Sequence, residues 1–589
     1  MENKYVTLIR EHEGKLKKEN IIFDILGYVK LFLILVIGFI IYLLFVNEFR
    51  PEYLILFLSV FIILAVFWVY HAKVNDRINY SKGIIAICNR QIDRITGKWT
   101  AFEDTGAEFA DADHAYACDL DVVGAKSLFQ FLNTTYTWHG RQSFANDLLK
   151  PAYGRSELQK RQEAIAELSK GILFSCMIQY YLSKIKTEPT PALFNNLKDK
   201  TPFIKRNAIR IILTYLPALT LLFVISVIIF QQQSLYIACT LVITAQMAIW
   251  GAGMPKTYKY LGIVSHLPYE LRAYANVINI LINSDFSCEK LKQIREQVNG
   301  AAQAIKDLGR IADRIRVRHN LIIYFILNAL LLWDYECAFL LQKWKQKYAH
   351  LTGQWFSAIG EFESLLSFSH LPNACDNTCL PVLSEKEKII EAKGMGHPLL
   401  PNEHRVNNEL SINNNIFIIS GSNMSGKTTF LRTVGVNLVL AYSGGFVCAE
   451  AMVFSRMGIV TQMRVADSLN EGISTFYAEL KRIKMIIDYA EKQPLMFLID
   501  EIFKGTNSVD RLAGAKTVIA KLNALGAVGM ISTHDLELCE LEGNYARIKN
   551  YSFSERYKDN RIYFDYRIKQ GKSSVTNAKY LMKMVGITD

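Results

Sequence analysis

Closely spaced cysteines are what this 589-residue sequence most plainly lacks. Its ten cysteines are scattered, and only Cys375 and Cys379 stand near one another, with no second pair and no histidine cluster beside them. That spacing excludes a zinc-finger type of site, and scattered unpaired thiols fit a reducing compartment. An excess of acid is also missing. Lys and Arg number 67 against 55 Asp and Glu, for a formal charge of +12 and a pI near 9.0. A basic balance suits nucleic acid or anionic lipid without choosing between them. Charge of either sign is almost absent from four long stretches. A small-residue cleavage site is lacking after the first of them, so that stretch is not expected to be a removable leader. What is there instead is apolar: 51% hydrophobic residues and a mean hydropathy of +0.13, the balance of a mixed membrane and soluble chain. The length allows about three or four units.

The four stretches are residues 25–46, which include Lys30, then 53–70, 211–230 and 234–253. Each has about 20 residues, the length a helix needs to cross roughly 30 Å of hydrocarbon. The turns "NEFRPE" and "QQQS" are short enough to make each pair a tight hairpin. Lys4, Arg10, Lys15, Lys17 and Lys18 precede the first span. Lys198, Lys200, Lys205, Arg206 and Arg210 precede the third, Lys256 and Lys259 follow the fourth, and the two turns hold only Arg50. Basic residues gather on the cytoplasmic side, so the chain reads as a multi-pass membrane protein with both termini and the soluble segments in the cytoplasm. A further apolar run, "LIIYFILNALLLW" at 321–333, is too short to span and is expected to be a buried core helix.

A nucleotide site is spelled out near the C-terminus. "IFIIS" at 416–420 is an apolar run typical of a buried parallel strand. "GSNMSGKTTF" follows, with Gly421, Ser422, Asn423, Met424, Ser425, Gly426, Lys427, Thr428 and Thr429 in the spacing of a phosphate-binding loop. Backbone N–H groups of such a loop and the N-terminus of the helix starting at Lys427 attract phosphate. Lys427 is placed to meet the β and γ phosphates of ATP, and Thr428 to hold Mg²⁺. "LMFLIDE" at 495–501 is a second apolar strand ending in Asp500, suited to Mg²⁺, and Glu501, suited to act as general base. "VGMISTHD" at 528–535 is a third strand, ending near His534, which is placed to sense the γ phosphate.

Membrane spans beside an ATPase first point to a transporter of the ABC type. Such a chain needs an LSGGQ-like signature ahead of the second carboxylate strand. The only similar run, "YSGGF" at 442–446, lies at the end of the first helix instead, and "NEGISTFYAELKRI" at 470–483 lacks it. These segments resemble the ATPase domain of the MutS family of DNA mismatch repair proteins. The resembling stretches are "GSNMSGKTTFLR", "ISTFYAEL", "LIDEIFKGTNSVDRLAGA", "STHDLEL" and, as the leading strand, "GHPLLP" at 396–401. Ser422, Ser425, Phe503 and Arg511 depart from the family pattern, the last two at expected glycines. "DLDVVGAKSLFQFLNTTYTWHGRQSFANDLLKPA" at 119–152 and "RQEAIAEL" at 161–168 resemble the family's helical core more weakly.

The resemblance implies an α/β P-loop ATPase domain, a mostly parallel sheet with flanking helices, C-terminal to an all-α core. The expected units are a transmembrane hairpin at 1–72, the two halves of the core at 73–207 and 255–390, a second hairpin at 208–254, and the ATPase domain at 391–589. It further implies a homodimer through the ATPase domains, with Ser474 facing the γ phosphate held by the partner subunit. The hairpins stand where relatives carry a mismatch-reading domain and a DNA clamp. The expected partners are therefore membrane lipid and DNA bound with low mismatch selectivity. ATP-driven remodelling of a membrane or protein partner without DNA is the alternative.

Overall fold

The computed structural model describes residues 2–46, 51–185, 197, 201–204, 207–265, 268–464, 475–503, 508–558 and 561–573. Two helices of 45 residues, Glu2–Val46 and Pro51–Ile95, open the chain and pack side by side. At 1.5 Å per residue each is about 67 Å long, more than twice a hydrocarbon core. Their apolar halves are almost entirely uncovered by protein. Their polar halves are glued by Leu26, Val74 and Ile78, and nearer the other end Tyr5, Ile84, Ile87 and Cys88 pack on Cys176 and Tyr180 of the Ile172–Leu182 helix. Each helix therefore runs unbroken from the apolar stretch into the core. Helices Asn207–Phe230 and Gln233–Ser265 form the second apolar pair. All four are long and apolar enough to cross a membrane.

Between and after these pairs lies a helical body whose spine is Trp333–Phe368, 36 residues and about 54 Å long. Near its C-terminal end Glu363, fully buried, accepts hydrogen bonds from the backbone N–H groups of Tyr136 and Thr137 and from the Thr137 hydroxyl. Thr137 in turn caps the Trp138–Leu149 helix by accepting from Gly140 N. Burial pushes the Glu363 carboxyl up to about 7 against the lowering pull of those donors. The next residue, Ser364, donates to Asp147, which also takes the buried Arg161 at 2.6 Å.

The Leu321–Leu331 helix departs from expectation. It is not a buried core helix: Leu321, Ile322, Ile323, Phe325 and Ile326 are exposed, while Tyr324 and Asn328 turn inward. The polar residues are the ones the protein needs there. Asp334, buried at the start of the spine, accepts from Tyr324 Oη at 2.6 Å and Arg318 Nε at 3.0 Å, and its N–H donates to Asn328 Oδ1 at 3.1 Å. Trp250 Nε1 reaches the same carboxylate at 3.3 Å from the Gln233–Ser265 helix. With Tyr324 and Asn328 four residues apart on one face, the apolar side chains are left pointing away.

The C-terminal part is α/β. Its strands are β1 (Val382–Leu383), β2 (Ile389–Met395), β3 (Asn408–Asn413), β4 (Ile416–Ser420), β5 (Ala451–Phe454), β6 (Gly458–Gln462), β7 (Leu495–Asp500), β8 (Val528–Thr533), β9 (Ile548–Lys558) and β10 (Arg561–Gln570). A small mixed sheet runs β1-β5-β2-β3 and a larger one β10-β9-β4-β8-β7-β6, parallel except for the β9–β10 pair. "GHPLLP" is thus not a strand; it is the loop after β2, whose own residues supply the leading strand. Every residue of β4, β7 and β8 is buried, which is why these strands read as unbroken apolar runs rather than alternations.

Candidate functional site

Register places the chemistry. Ser420 at the end of β4 lies opposite Thr533 of β8, and Asp500 at the end of β7 lies opposite Ser532. The three central strands therefore finish together, and whatever follows each of them meets at the carboxyl edge of the sheet, where open α/β sheets hold ligands.

After β4 the chain turns through Gly421 (φ 153°), Met424 (φ 69°) and Gly426 (φ 105°) before the Lys427–Tyr442 helix begins. A side chain at 421 would put Cβ 2.8 Å from the Phe553 carbonyl, and one at 426 would put it 3.1 Å from the Tyr566 ring. Gly421 is thus required by space as well as by backbone angle, and Gly426 by its backbone angle. Lys427 is buried, and its Nζ lies over the loop, donating to the carbonyls of Gly421 at 2.7 Å and Ser422 at 2.8 Å. Thr428 Oγ1 donates to Asp500 Oδ2 at 3.0 Å, and Ser532 Oγ donates to the other oxygen of that carboxylate. Glu501 follows with a left-handed φ of 57°, its N–H held by Ser532 O at 3.2 Å. His534 Nδ1 lies 3.4 Å from Glu501 Oε1.

The structure therefore brings together the loop 421–429, Asp500, Glu501 and His534. Ser474 lies outside the described residues; the helix after it is Thr475–Ala490. The departures from the family pattern have local explanations. Phe503 takes a left-handed φ of 60°, a conformation that suits the glycine expected there, and its ring is buried 5.7 Å from that of Phe476. Arg511 makes a two-pronged pair with Asp535, at 2.9 and 3.2 Å, next to His534.

A cavity of about 630 Å³ opens over the loop, a volume ordinary for a small-molecule site. His397, His404, Phe553 and Tyr566 line it, and sequence reasoning gave none of them a role. "GHPLLP" was the one available signal for His397. Tyr566 comes from β10, more than a hundred residues past the loop, where nothing local marks it. Burial, with Arg432 and Arg405 nearby, pushes the His397 imidazole down to about 3, so it faces the cavity uncharged at neutral pH.

The residues suit a nucleotide with its metal. The loop offers backbone N–H groups and a buried ammonium, and Ser425 Oγ is a buried hydroxyl with no hydrogen-bond partner among the described residues. Thr428 and Asp500 already share a contact at which two oxygen ligands suit Mg²⁺.

The site is tied to the helical body. Asp119 accepts from the Thr461 hydroxyl and the N–H groups of Met463 and Arg464, and Asp121 pairs with Arg432 at 3.1 Å and Arg464 at 2.7 Å. Arg482, on the Thr475–Ala490 helix, donates to the carbonyls of His114 and Ala115. The loop helix and the 475–490 helix are thereby both anchored to residues 113–121.

Residues 417–588 match the family model of MutS domain V. A DNA mismatch repair protein MutS of Symbiobacterium thermophilum is 30% identical over 242 residues, covering 39% of this chain and 27% of that protein. The chain thus spans well under half the length of the relative it matches. The strand order, the loop on β4, the carboxylates ending β7 and this match all point one way: the C-terminal part of the chain is similar to MutS domain V.

Proposed function

We propose that this chain is a membrane-anchored ATP hydrolase of the MutS type, acting as a homodimer, with duplex DNA as the ligand of its soluble part. The contact between Thr428 and Asp500, with Glu501 one residue on, carries the reading. The N–H groups of residues 421–426 and Lys427 hold the β and γ phosphates, with Asn423, Met424 and Thr429 completing the loop. Thr428 and Asp500 hold Mg²⁺, which when bound polarises phosphate oxygens. Glu501 takes a proton from the attacking water, and His534, held beside it, reports the γ phosphate to Arg511 through Asp535. Ser474 of each subunit serves the phosphates of the other, as the family resemblance implies. ATP closes the dimer and hydrolysis opens it, and the Asp119, Asp121 and Arg482 contacts pass the change to the helical body and its apolar hairpins.

The test is duplex binding by purified protein in detergent, with and without ATP, at two salt concentrations. Binding that falls with salt and shifts with ATP supports a DNA ligand. No binding under any of these conditions removes DNA and leaves the second reading, in which the cycle moves a membrane or protein partner. One observation favours that second reading: the helices Asn207–Phe230 and Gln233–Ser265 present bare apolar faces and no charged residue over 211–250.

A further inference from the structure

The outward face of the Leu321–Leu331 helix is largely bare among the described residues. Leu321 is 69% exposed, Ile322 74%, Phe325 48% and Ile326 52%. Isolated apolar residues on a surface need no explanation, but adjacent ones on successive turns form a patch that water does not tolerate well. The inward face is committed. Tyr324 and Asn328 are fixed to Asp334, and the helix ends are closed by Asn320 accepting from Ile323 N at 3.2 Å and by Leu332 in a left-handed turn. The helix cannot roll to bury its other side.

What covers it follows from its neighbours. Phe325 stacks edge-on against Trp250 of the Gln233–Ser265 helix, ring centres 5.3 Å apart, and the short helix also touches Asn207–Phe230. Its bare face is therefore continuous with the surface of the second apolar pair. At about 16 Å it reaches half the depth of a hydrocarbon core, and at Leu332 the chain bends by 78° into the spine. The border carries aromatic rings and cations. Trp333 Nε1 donates to Arg314 O at 3.0 Å with the Arg314 guanidinium 5.9 Å from its ring, and Arg316, Lys256 and Lys259 are exposed. Glu336 is the exposed acid among them. Trp and Arg at the border of an uncharged patch are the composition found where protein meets lipid headgroups.

We propose that the Leu321–Leu331 helix is a further membrane-binding element, seated in the acyl zone of one leaflet beside the second hairpin without crossing it. This rests on the membrane-anchored reading above. It makes the start of the spine a point of lipid contact: Asp334 joins the in-leaflet helix, the second hairpin and the spine through one carboxylate.

The test places a photoactivatable benzophenone amino acid at Ile322 of the full chain, reconstituted in phosphatidylethanolamine–phosphatidylglycerol vesicles. The same residue at Leu222, 62% exposed in the third span, probes anchoring itself, and at Lys484, on the ATPase surface, it is the aqueous control. Lipid adducts at 322 and 222 and none at 484 are expected. Adducts at 222 but none at 322 overturn the proposal and leave the anchoring intact. A chain-to-chain adduct at 322 overturns it in favour of a second copy. Absence of lipid at both 222 and 322 overturns the anchoring reading and the proposal with it.

Discussion

At the scale of single residues, the roles proposed for Glu501 and Lys427 separate binding from turnover. Glu501→Gln keeps the loop and its cation but cannot accept a proton. ATP hydrolysis is expected to fall by about 10²–10⁴ with nucleotide retained, and unchanged turnover would put the base elsewhere. Lys427→Ala removes the buried ammonium over the loop, so nucleotide retention itself should be lost in a filter-binding assay. Glu363 makes a different kind of prediction. Its folded value is raised to about 7 from an ordinary 4.5. Between those values the folded chain holds a proton that the unfolded chain has released, so stability is highest below about pH 4.5, declines as pH rises towards 7, and is flat in this term above it. The change is on the order of 3 kcal/mol. Glu363→Gln, which cannot ionise, should erase that slope in denaturant titrations across pH 5–8. A slope that survives the substitution belongs to another group.

At the scale of elements, the buried hub around Asp334 joins the second apolar pair, the 321–331 helix and the spine. Asp334→Ala leaves Arg318 with its charge partly buried and no counter-ion, a loss of about 3–5 kcal/mol by the usual cost of breaking such a pair. Cleavage by trypsin after Arg318 in detergent should become much faster, and an unchanged digestion pattern would show that the hub holds nothing. The same region shows where sequence reading stops. The strands β4, β7 and β8 were legible because a parallel strand buried on both faces is apolar at every position, with polar chemistry only at its end. The 321–331 helix misled because length alone separates a spanning helix from a core helix, and it says nothing about which face turns inward. Tyr324 and Asn328, four residues apart, held that information, but only in the presence of Asp334. Tyr566 could not be read at all, since its place over the loop depends on β10 pairing with β9.

At the scale of the whole molecule, no Lys or Arg lies within residues 211–250, where relatives are expected to grip DNA. Phosphate contacts need such side chains, so any duplex must meet the soluble surfaces and should be held without regard to mismatches. Reconstituted protein offered matched and mismatched duplexes of equal length should bind them alike. A preference for the mismatch above about tenfold, or roughly 1.4 kcal/mol, would reveal a reading element in the chain.

The first two helices touch the core near one end, at Tyr5, Ile84 and Cys88, where Cys88 and Cys176 sulfurs lie 3.9 Å apart. Their apolar stretches begin about 30 Å further along at 1.5 Å per residue. With no break between, the pair is a lever whose fulcrum is that patch. A tilt of about 10° there swings the start of the apolar stretches sideways by roughly 5 Å over an arm of that length. On the proposed membrane-anchored, ATP-driven reading, small rotations of the body become lateral strokes in the plane of a bilayer.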